Sequence, residues 1–464
     1  MASAPLRPLV AIIGATGTGK SDLAVDVARN FNGEIINGDA MQLYRGLPII
    51  TNKIPEDEKK GITHHLLGRI GLEEETWTVG KFVQKALVVI DEIRSRGKLP
   101  ILVGGTHYYT QSLLFQDALA DAPLKAVNMA KPDLSILSEP TDVILKKLKE
   151  VDPVMADRWH PNERRKIQRS LEMFLKSGQP ASQIYDKQRI KQNISSNEGA
   201  PGSNQPIKLG PTLRFPTLVL WVHASKDVLY PRLDNRITKM LNQGLLSEVE
   251  ALNSFRASLE ALTGTPIDQT RGIWVSIGYK QFLGYKSALN GGLAVDAELE
   301  TLKMTAIEQT RSATRQYANR QIRWIRIKLL NALHNAGQKN NTFLLDGSDQ
   351  ATWEEKVLWP ARDITERFIS GSSLPSPTDL STTSSEMLNP KRDYDLAQRP
   401  DLWQKRICEM CGIVAVTQHD WNLHLKSRRH RRAVKKQENA EHTQQEKVNG
   451  RQVDIADPAL VLVP

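Results

Sequence analysis

Gly14-Ala15-Thr16-Gly17-Thr18-Gly19-Lys20-Ser21 decides how the rest of this chain is read. It follows the apolar run 9–13 and precedes an amphipathic segment, 21–31, which gives the order strand, glycine-rich turn, helix. The spacing G-x-x-x-x-G-K-S is that of a phosphate-binding loop. Glycines let the backbone curl so that successive N–H groups converge on an anion, and the helix N-terminus adds its positive end. Lys20 offers a point charge for the outer phosphate, and Ser21 offers a hydroxyl to a magnesium ion. Gly14, Ala15, Thr16, Gly17, Thr18, Gly19, Lys20 and Ser21 are therefore the candidate ligands of a phosphate or diphosphate.

Outward from the loop, residues 9 to about 115 alternate strand and helix, the pattern of a parallel sheet covered on both faces. A short strand, Glu34 to Asn37, runs into Gly38-Asp39-Ala40-Met41-Gln42, and a buried strand, Leu99 to Val103, runs into Gly104-Gly105-Thr106. Between them 79–95 reads as a helix with Phe82, Ala86, Ile90 and Ile93 on one face. In such sheets ligands sit at the carboxyl ends of the strands, so the loop, Asp39 and Thr106 converge on one crevice. Asp39 has two chemical jobs open to it there, binding magnesium or accepting a proton as general base, and one plain alternative as a turn or N-cap aspartate. Gln42 could present its amide to a base edge. The strand Leu99 to Val103 ends in Gly-Gly-Thr where an ATPase would carry a second acid, which counts against ordinary ATP hydrolysis. The two glycines leave room for something to approach the sheet, or form a tight turn.

The region 118–214 breaks the alternation: 145–151 and 163–176 are helical, and 193–211 is a Gly/Pro/Ser/Asn loop. The strand pattern returns at 215–222, followed by helices at 227–242 and 245–262 and a long helix from about 296 to 335. Residues 342–368 supply one more strand and helix. Arg236 lies one turn from Arg232 and from Met240, on a helix whose apolar face packs inward. It could reach a diphosphate bidentately or make a surface salt bridge with Asp234 or Glu248. Arg311, Arg315, Arg323 and Arg326 line a flank of the long helix.

The chain has 464 residues, a net charge of +10 and a sequence pI near 9.4. The basic excess is local: 425–436 holds seven Lys or Arg and 309–330 holds six, neither with an acid. Blocks of this kind point to a polyanionic partner such as nucleic acid. The two cysteines lie in Cys408-x2-Cys411-x12-His424-x5-His430, the spacing of a zinc finger. Two thiolates and two imidazoles close a tetrahedral set, so this metal is structural. They leave no disulfide framework, which fits a reducing compartment. No apolar run approaches the roughly 18 residues that would span a bilayer, and no secretory segment is expected at the start of the sequence.

The expected fold class is α/β, a P-loop NTPase-like parallel sheet covered by helices, with a mostly helical insertion domain and a small C-terminal zinc finger. The expected division is a catalytic core in two parts, 1–117 and 215–369, around the insertion at 118–214. A flexible linker at 370–399, rich in Ser, Thr and Pro, precedes the finger with its basic extension at 400–436 and a disordered tail at 437–464.

Together these motifs resemble the tRNA isopentenyltransferases, or tRNA dimethylallyltransferases. The family's G-x-T-x-x-G-K-S matches 14–21, its D-S-M-Q-x-Y matches Asp39-Ala40-Met41-Gln42-Leu43-Tyr44, and its G-G-T-x-x-Y matches Gly104 to Tyr109. His160-Pro161-Asn162-Glu163 through Arg169-Ser170-Leu171-Glu172, Ile277 to Lys280 and Thr314 to Gln321 follow in the family's order. The resemblance covers roughly 9–330, and the finger is similar to the one appended to eukaryotic members. Ala40 stands where Ser is usual, Asn319 where Lys is, and Thr238 where Asp is common.

The resemblance implies a reaction. Dimethylallyl diphosphate would be held by Thr16 to Ser21 with magnesium, and the exocyclic amine of the adenine 3′ of the anticodon in tRNA would attack its allylic carbon. Asp39 would orient that amine and take its proton, with Lys20, Thr16 and Arg236 on the departing diphosphate. The base would have to be flipped out of the anticodon loop, toward Asp39, Ala40, Met41, Gln42 and Thr106. The insertion, with Arg165, Gln168 and Arg169, and the long helix, with Arg311, Arg315 and Arg323, would grip the anticodon stem-loop. The cofactors implied are Mg2+ with the diphosphate and Zn2+ in the finger. A monomer without membrane attachment is expected, in the cytoplasm with mitochondrial and nuclear pools. A P-loop small-molecule kinase using ATP shares the loop and an Asp, and a non-catalytic nucleic-acid-binding NTPase adaptor shares the loop and the basic blocks. The kinase leaves the missing second acid, the basic helix and the finger without a role.

Overall fold

Along β1 (Leu9–Ile13) alternate side chains enter two different cores: Leu9, Ala11 and Ile13 pack into one, Val10 and Ile12 into the other. A strand buried on both faces reads as a continuous apolar run, which is why the sequence shows no alternation here. The computed structural model describes residues 4–116, 133–194, 212–292, 295–390 and 402–439. They fall into two compact units, one built from 1–123 and 188–395 and the other from 124–187 and 396–464.

In the first unit β1 leads through the glycine turn into α1 (Lys20–Asn30), β2 (Gly33–Asn37), the two-residue β3 (His64–His65), α2 (Val79–Ser95), β4 (Leu99–Val103) and α3 (His107–Leu114). Helix α1 covers one face with Leu23, Ala24 and Val27, and α2 covers the other with Phe82, Ala86, Ile90 and Ile93. The chain returns as β5 (Thr217–His223) and β6 (Thr342–Asp346), giving the strand order β3-β2-β4-β1-β5-β6 with every neighbouring pair parallel.

The helical part of the second unit comprises α4 (Thr141–Val151), α5 (Pro153–Arg158), α6 (Arg164–Ser177) and the first half of α7 (Ala181–Ile194). Buried Asp152 organises it, accepting from Met155 N at 3.2 Å and Ser182 N at 2.8 Å, and so caps α5 and fixes the start of α7. Back in the first unit, α8 (Lys226–Asn242), α9 (Leu245–Thr263), α10 (Tyr279–Gly291) and α11 (Asp296–Trp324) follow β5. A π-helical turn, Ile325–Leu329, continues α11 into α12 (Leu330–Asn335), and α13 (Trp359–Ser370) follows β6.

The structure corrects the expected linker. Residues 372–388 are folded onto β6, with a 3-10 turn at Pro377–Asp379 and α14 (Thr382–Met387). Ser384 is fully buried and donates to Leu344 O at 3.1 Å, Thr383 donates to Asp346 Oδ2 at 2.8 Å, and Leu388 is buried. Counting apolar surface missed this because hydroxyl hydrogen bonds attach the segment, which covers β6, the strand at the edge of the sheet. Of the expected linker, 391–399 lies outside the described residues, as does the expected tail from 440 onward.

The finger is built from the antiparallel strands β7 (Trp403–Ile407) and β8 (Val414–Thr417) with α15 (Gln418–Leu425). It shares a compact unit with the helical segment, where a module tethered on its own was expected. The Arg158 guanidinium lies 4.4 Å from the Trp159 ring centre and 4.6 Å from that of Trp403, and Lys405 Nζ donates to Ala156 O at 3.1 Å. A cation held between two indole rings gives the finger a fixed seat on α5. No helix among the described residues is long and apolar enough to cross a membrane.

Candidate active site

The turn after β1 is shaped by what packs around it. Gly19 has φ +88°, and a Cβ there would lie 2.4 Å from the Trp353 ring. Thr18 is buried and spends its hydroxyl on Ala15 O at 3.0 Å, so only its backbone remains for a ligand. Lys20 Nζ also donates to Ala15 O, at 2.6 Å. Burial lowers this ammonium to about 8, against the opposing pull of Asp39, so it is mostly charged at neutral pH. Ser21 is exposed in the first turn of α1.

Asp39 sits where β2 ends, and Asn37 fixes its backbone. The Asn37 amide accepts from Asp39 N at 3.0 Å and donates to Asp39 O at 3.0 Å and Leu66 O at 3.1 Å. The Asp39 carboxylate accepts from Met41 N at 3.0 Å, with Gln42 N and Gly105 N as further donors. Burial pushes it above the usual carboxylate range, while these N–H groups and the Lys20 charge oppose the rise. Thr106 Oγ1 accepts from Ala40 N at 3.0 Å and joins the exits of β2 and β4. Gln42 donates its amide to Asn52 O at 2.9 Å, so that N–H is held within its own loop.

Of the two readings open for Gly104-Gly105, a tight turn or room for an approach, the structure shows close approaches, and the protein itself makes them. A Cβ on Gly104 would fall 2.3 Å from the Gly38 carbonyl carbon. One on Gly105 would fall 2.4 Å from Gln321 Nε2 and 3.2 Å from Asp39 Oδ2.

Arg236, on α8, donates from Nη1 to Thr16 Oγ1 at 2.9 Å. Both alternative partners are taken. Asp234 holds Arg315 through two hydrogen bonds, one of them from Nε at 3.0 Å, and Glu248 accepts from Ile49 N and Ile50 N at 3.0 and 2.7 Å. Burial lowers Arg236 to about 10, with Asp39 opposing the shift, and it stays cationic. Thr16 and Lys20 after β1, Asp39 after β2 and Arg236 on α8 thus meet in one place.

Three residues at the site escaped the sequence reading as functional groups, although each stood inside a quoted motif. Gln321 on α11 is buried, accepts from Thr16 N at 2.8 Å and donates to Gly105 O at 2.8 Å. Tyr317, one turn earlier, hydrogen-bonds Thr106, and burial together with Asp39 pushes its phenol up. His107 is buried, and burial plus the field of Lys20 push it down to about 3, leaving a neutral imidazole. A polar residue on a helix gives no sequence signal of the distant backbone it will meet.

The candidate nucleic-acid contacts differ in what holds them. On α11, Arg311 is tied to Glu308 at 2.5 Å, Arg315 to Asp234, and Arg323 is exposed. In the second unit Arg165 is exposed, Gln168 donates to Leu137 O at 2.7 Å and Arg169 to Glu172 at 2.8 Å. Every Lys and Arg of 426–436 is exposed, and 428–439 is helical. Also in that unit, the ligand atoms of Cys408, Cys411, His424 and His430 lie within 4.8 Å of one another. Cys411 Sγ is 3.3 Å from His424 Nε2, and Cys408 Sγ is 3.5 Å from His430 Nδ1. These are close to the edges of a tetrahedron about a metal with bonds of about 2.0–2.3 Å, so the four residues could hold a metal ion.

Comparison with known proteins adds independent findings. A family model described as IPP transferase matches residues 42–328, which include Thr106, Arg236 and Gln321 and begin after the phosphate loop. The chain is 36% identical over 455 residues to the tRNA dimethylallyltransferase of Schizosaccharomyces pombe, covering 94% of this chain and 97% of that one. It is 34% identical over 432 residues to the tRNA dimethylallyltransferase of Homo sapiens, covering 92% and 86%. A solved structure of a eukaryotic dimethylallyltransferase acting on tRNA matches with a TM-score of 0.73 at 32% identity, covering 95% of this chain and 99% of that one.

Proposed function

The chain belongs to the IPP transferase family, and on that premise we propose that it is a tRNA dimethylallyltransferase. It transfers the dimethylallyl group from dimethylallyl diphosphate to the N6 amine of the adenine 3′ of the anticodon and releases diphosphate. One observation carries the reading: a desolvated carboxylate, Asp39, shares a crevice with two cations, Lys20 and Arg236, and β4 ends there in Gly-Gly-Thr in place of an acid. A base for an amine proton stands beside counter-charge for a leaving diphosphate.

In this mechanism the N6 lone pair forms the new C–N bond to the allylic carbon as the C–O bond to diphosphate breaks. Asp39 orients the amine and takes its proton, and its raised pKa makes it a stronger base than an exposed carboxylate. Lys20, Arg236 and the loop amides from Gly17 onward stabilise charge as it develops on the leaving oxygens. Thr16 serves by its hydroxyl, since its N–H is engaged by Gln321. Ser21 would hold Mg2+, which neutralises diphosphate charge. One protein hydroxyl suits this ion, which draws most of its oxygen ligands from substrate and water. Cys408, Cys411, His424 and His430 would hold Zn2+ as a structural ion.

The RNA would be gripped on Arg323, Arg311 and Arg315 of α11 and, separately, on Arg165, Gln168, Arg169 and the 426–436 run. Ala40, Met41, Gln42 and Thr106 would line the base. The enzyme would act as a monomer in the cytoplasm, with mitochondrial and nuclear pools. Ligand-dependent thermal stabilisation tests the assignment. A non-hydrolysable dimethylallyl S-thiolodiphosphate at about 100 times its Kd should add about 2.7 kcal/mol, and ATP should add none. Stabilisation by ATP alone would point to the P-loop kinase instead.

A further inference from the structure

We infer that Gln321 is a positioning residue that couples the two substrate sites, by holding the phosphate loop and the base-side turn on one side-chain amide. The inference rests on the transferase reading. Thr16 N–H can only donate and Gly105 C=O can only accept, so the amide has one orientation that satisfies both, Oε1 on Thr16 and Nε2 on Gly105. The two bonds reach 305 and 216 residues along the chain, and each is 2.8 Å long. Gln321 is 3% exposed, so water cannot readily replace it.

The groups on either side belong to different substrates. Thr16 carries the hydroxyl that Arg236 holds, on the diphosphate side. Gly105 donates its N–H to Asp39 and adjoins Thr106, on the base side. The frame around the amide is stiff. Ala318, one turn before Ile322, packs with Ala15, Leu229 and Leu233 under the loop, Asn319 Nδ2 donates to Tyr230 Oη at 2.6 Å, and Arg315 is bound to Asp234. A shift of the base-side turn on RNA binding is therefore passed to Thr16 through one buried amide, and a shift of the loop on donor binding is passed back. Coupling of this kind is reciprocal by thermodynamic necessity.

The test uses the full-length chain, the dimethylallyl S-thiolodiphosphate probe and an anticodon stem-loop RNA with an unmodified adenine 3′ of the anticodon. Donor-probe Kd is measured with and without saturating RNA, and RNA Kd with and without saturating probe. Wild type should show the same ratio both ways, on the order of tenfold. Gln321→Met keeps the bulk and drops both hydrogen bonds, and Gln321→Glu keeps the acceptor while losing the donor. In both, the ratio should fall to within about twofold of unity, while each binary Kd moves by less than about threefold.

A strut with a merely structural role would weaken binary binding or stability and leave the ratio unchanged, and that result overturns the inference. A wild-type ratio of one also overturns it. If one variant fails to fold, the ratio in the other decides. Wild-type protein that makes no dimethylallylated RNA from the natural donor would refute the transferase reading itself, and the inference with it.

Discussion

Gly105→Ala adds a single methyl group at the most crowded point of the site. Its Cβ would stand 2.4 Å from Gln321 Nε2, where ordinary contact begins near 3.4 Å, so the amide must retreat by about 1 Å. Hydrogen bonds of 2.8 Å to Thr16 N and Gly105 O do not survive that displacement. Each backbone group left without its partner costs about 1–3 kcal/mol. Because Thr16 is only half-buried and water can reach it in part, the expected total is about 2–4 kcal/mol. The same methyl would sit 3.2 Å from Asp39 Oδ2 and displace the carboxylate by a few tenths of an ångström. Turnover should then fall at least about tenfold through misplacement of the base. Urea unfolding reads the first effect and single-turnover transfer the second. Gly284→Ala is the control, since nothing lies within 4 Å of that exposed position inside α10, and it should stabilise by about 0.5–1 kcal/mol. A Gly105→Ala protein as stable and as active as wild type would mean that the Gln321 contact is not tight, and the account of the Gly-Gly pair would fall.

Asp39→Asn keeps size and loses the base, so turnover should drop at least about a hundredfold with RNA binding retained. Near-normal turnover of the folded variant would remove Asp39 from the proton transfer. The protonated form of Lys20 is the competent one and its pKa is lowered to about 8, so kcat/KM for the donor should decline as pH rises through that value. Lys20→Arg should erase the decline, and an identical profile in that variant would assign it to another group. Zinc removal by a chelator should raise amide exchange in 403–430 and also in α5, because Arg158 and Lys405 bind the two together. Exchange that rises in the finger alone would show that this seat contributes no stability.

What the sequence made legible was what repeats or follows fixed spacing. The runs at 9–13, 99–103 and 215–222, the last observed as Thr217–His223, declare buried parallel strands because both of their faces are covered. The G-x-x-x-x-G-K-S spacing and the C-x2-C-x12-H-x5-H spacing declare backbone and ligand geometry directly. Partners distant in the chain left no such trace. From the residues alone Arg236 could serve a phosphate or pair with Asp234 or Glu248, and only the fold shows that the two acids are engaged elsewhere while its guanidinium meets Thr16. Strand β3 is two half-buried histidines paired with Ile35 and Ile36, too short and polar for any periodicity. The 372–388 segment looked solvated because its hydroxyls were counted as water-seeking, and they meet β6 instead. Trp403 gave no hint that Arg158, 245 positions earlier, would receive it.

Analysis of the product tests the central claim most directly. Full-length protein is incubated with Mg2+, dimethylallyl diphosphate labelled in the dimethylallyl group, and tRNA lacking modification at the adenine 3′ of the anticodon, and the RNA is digested to nucleosides. Transfer predicts label in a single nucleoside, N6-dimethylallyl adenosine from that position, with one diphosphate released per label incorporated and no requirement for ATP. Unlabelled RNA from correctly folded protein, or phosphate transfer that requires ATP, would contradict the account.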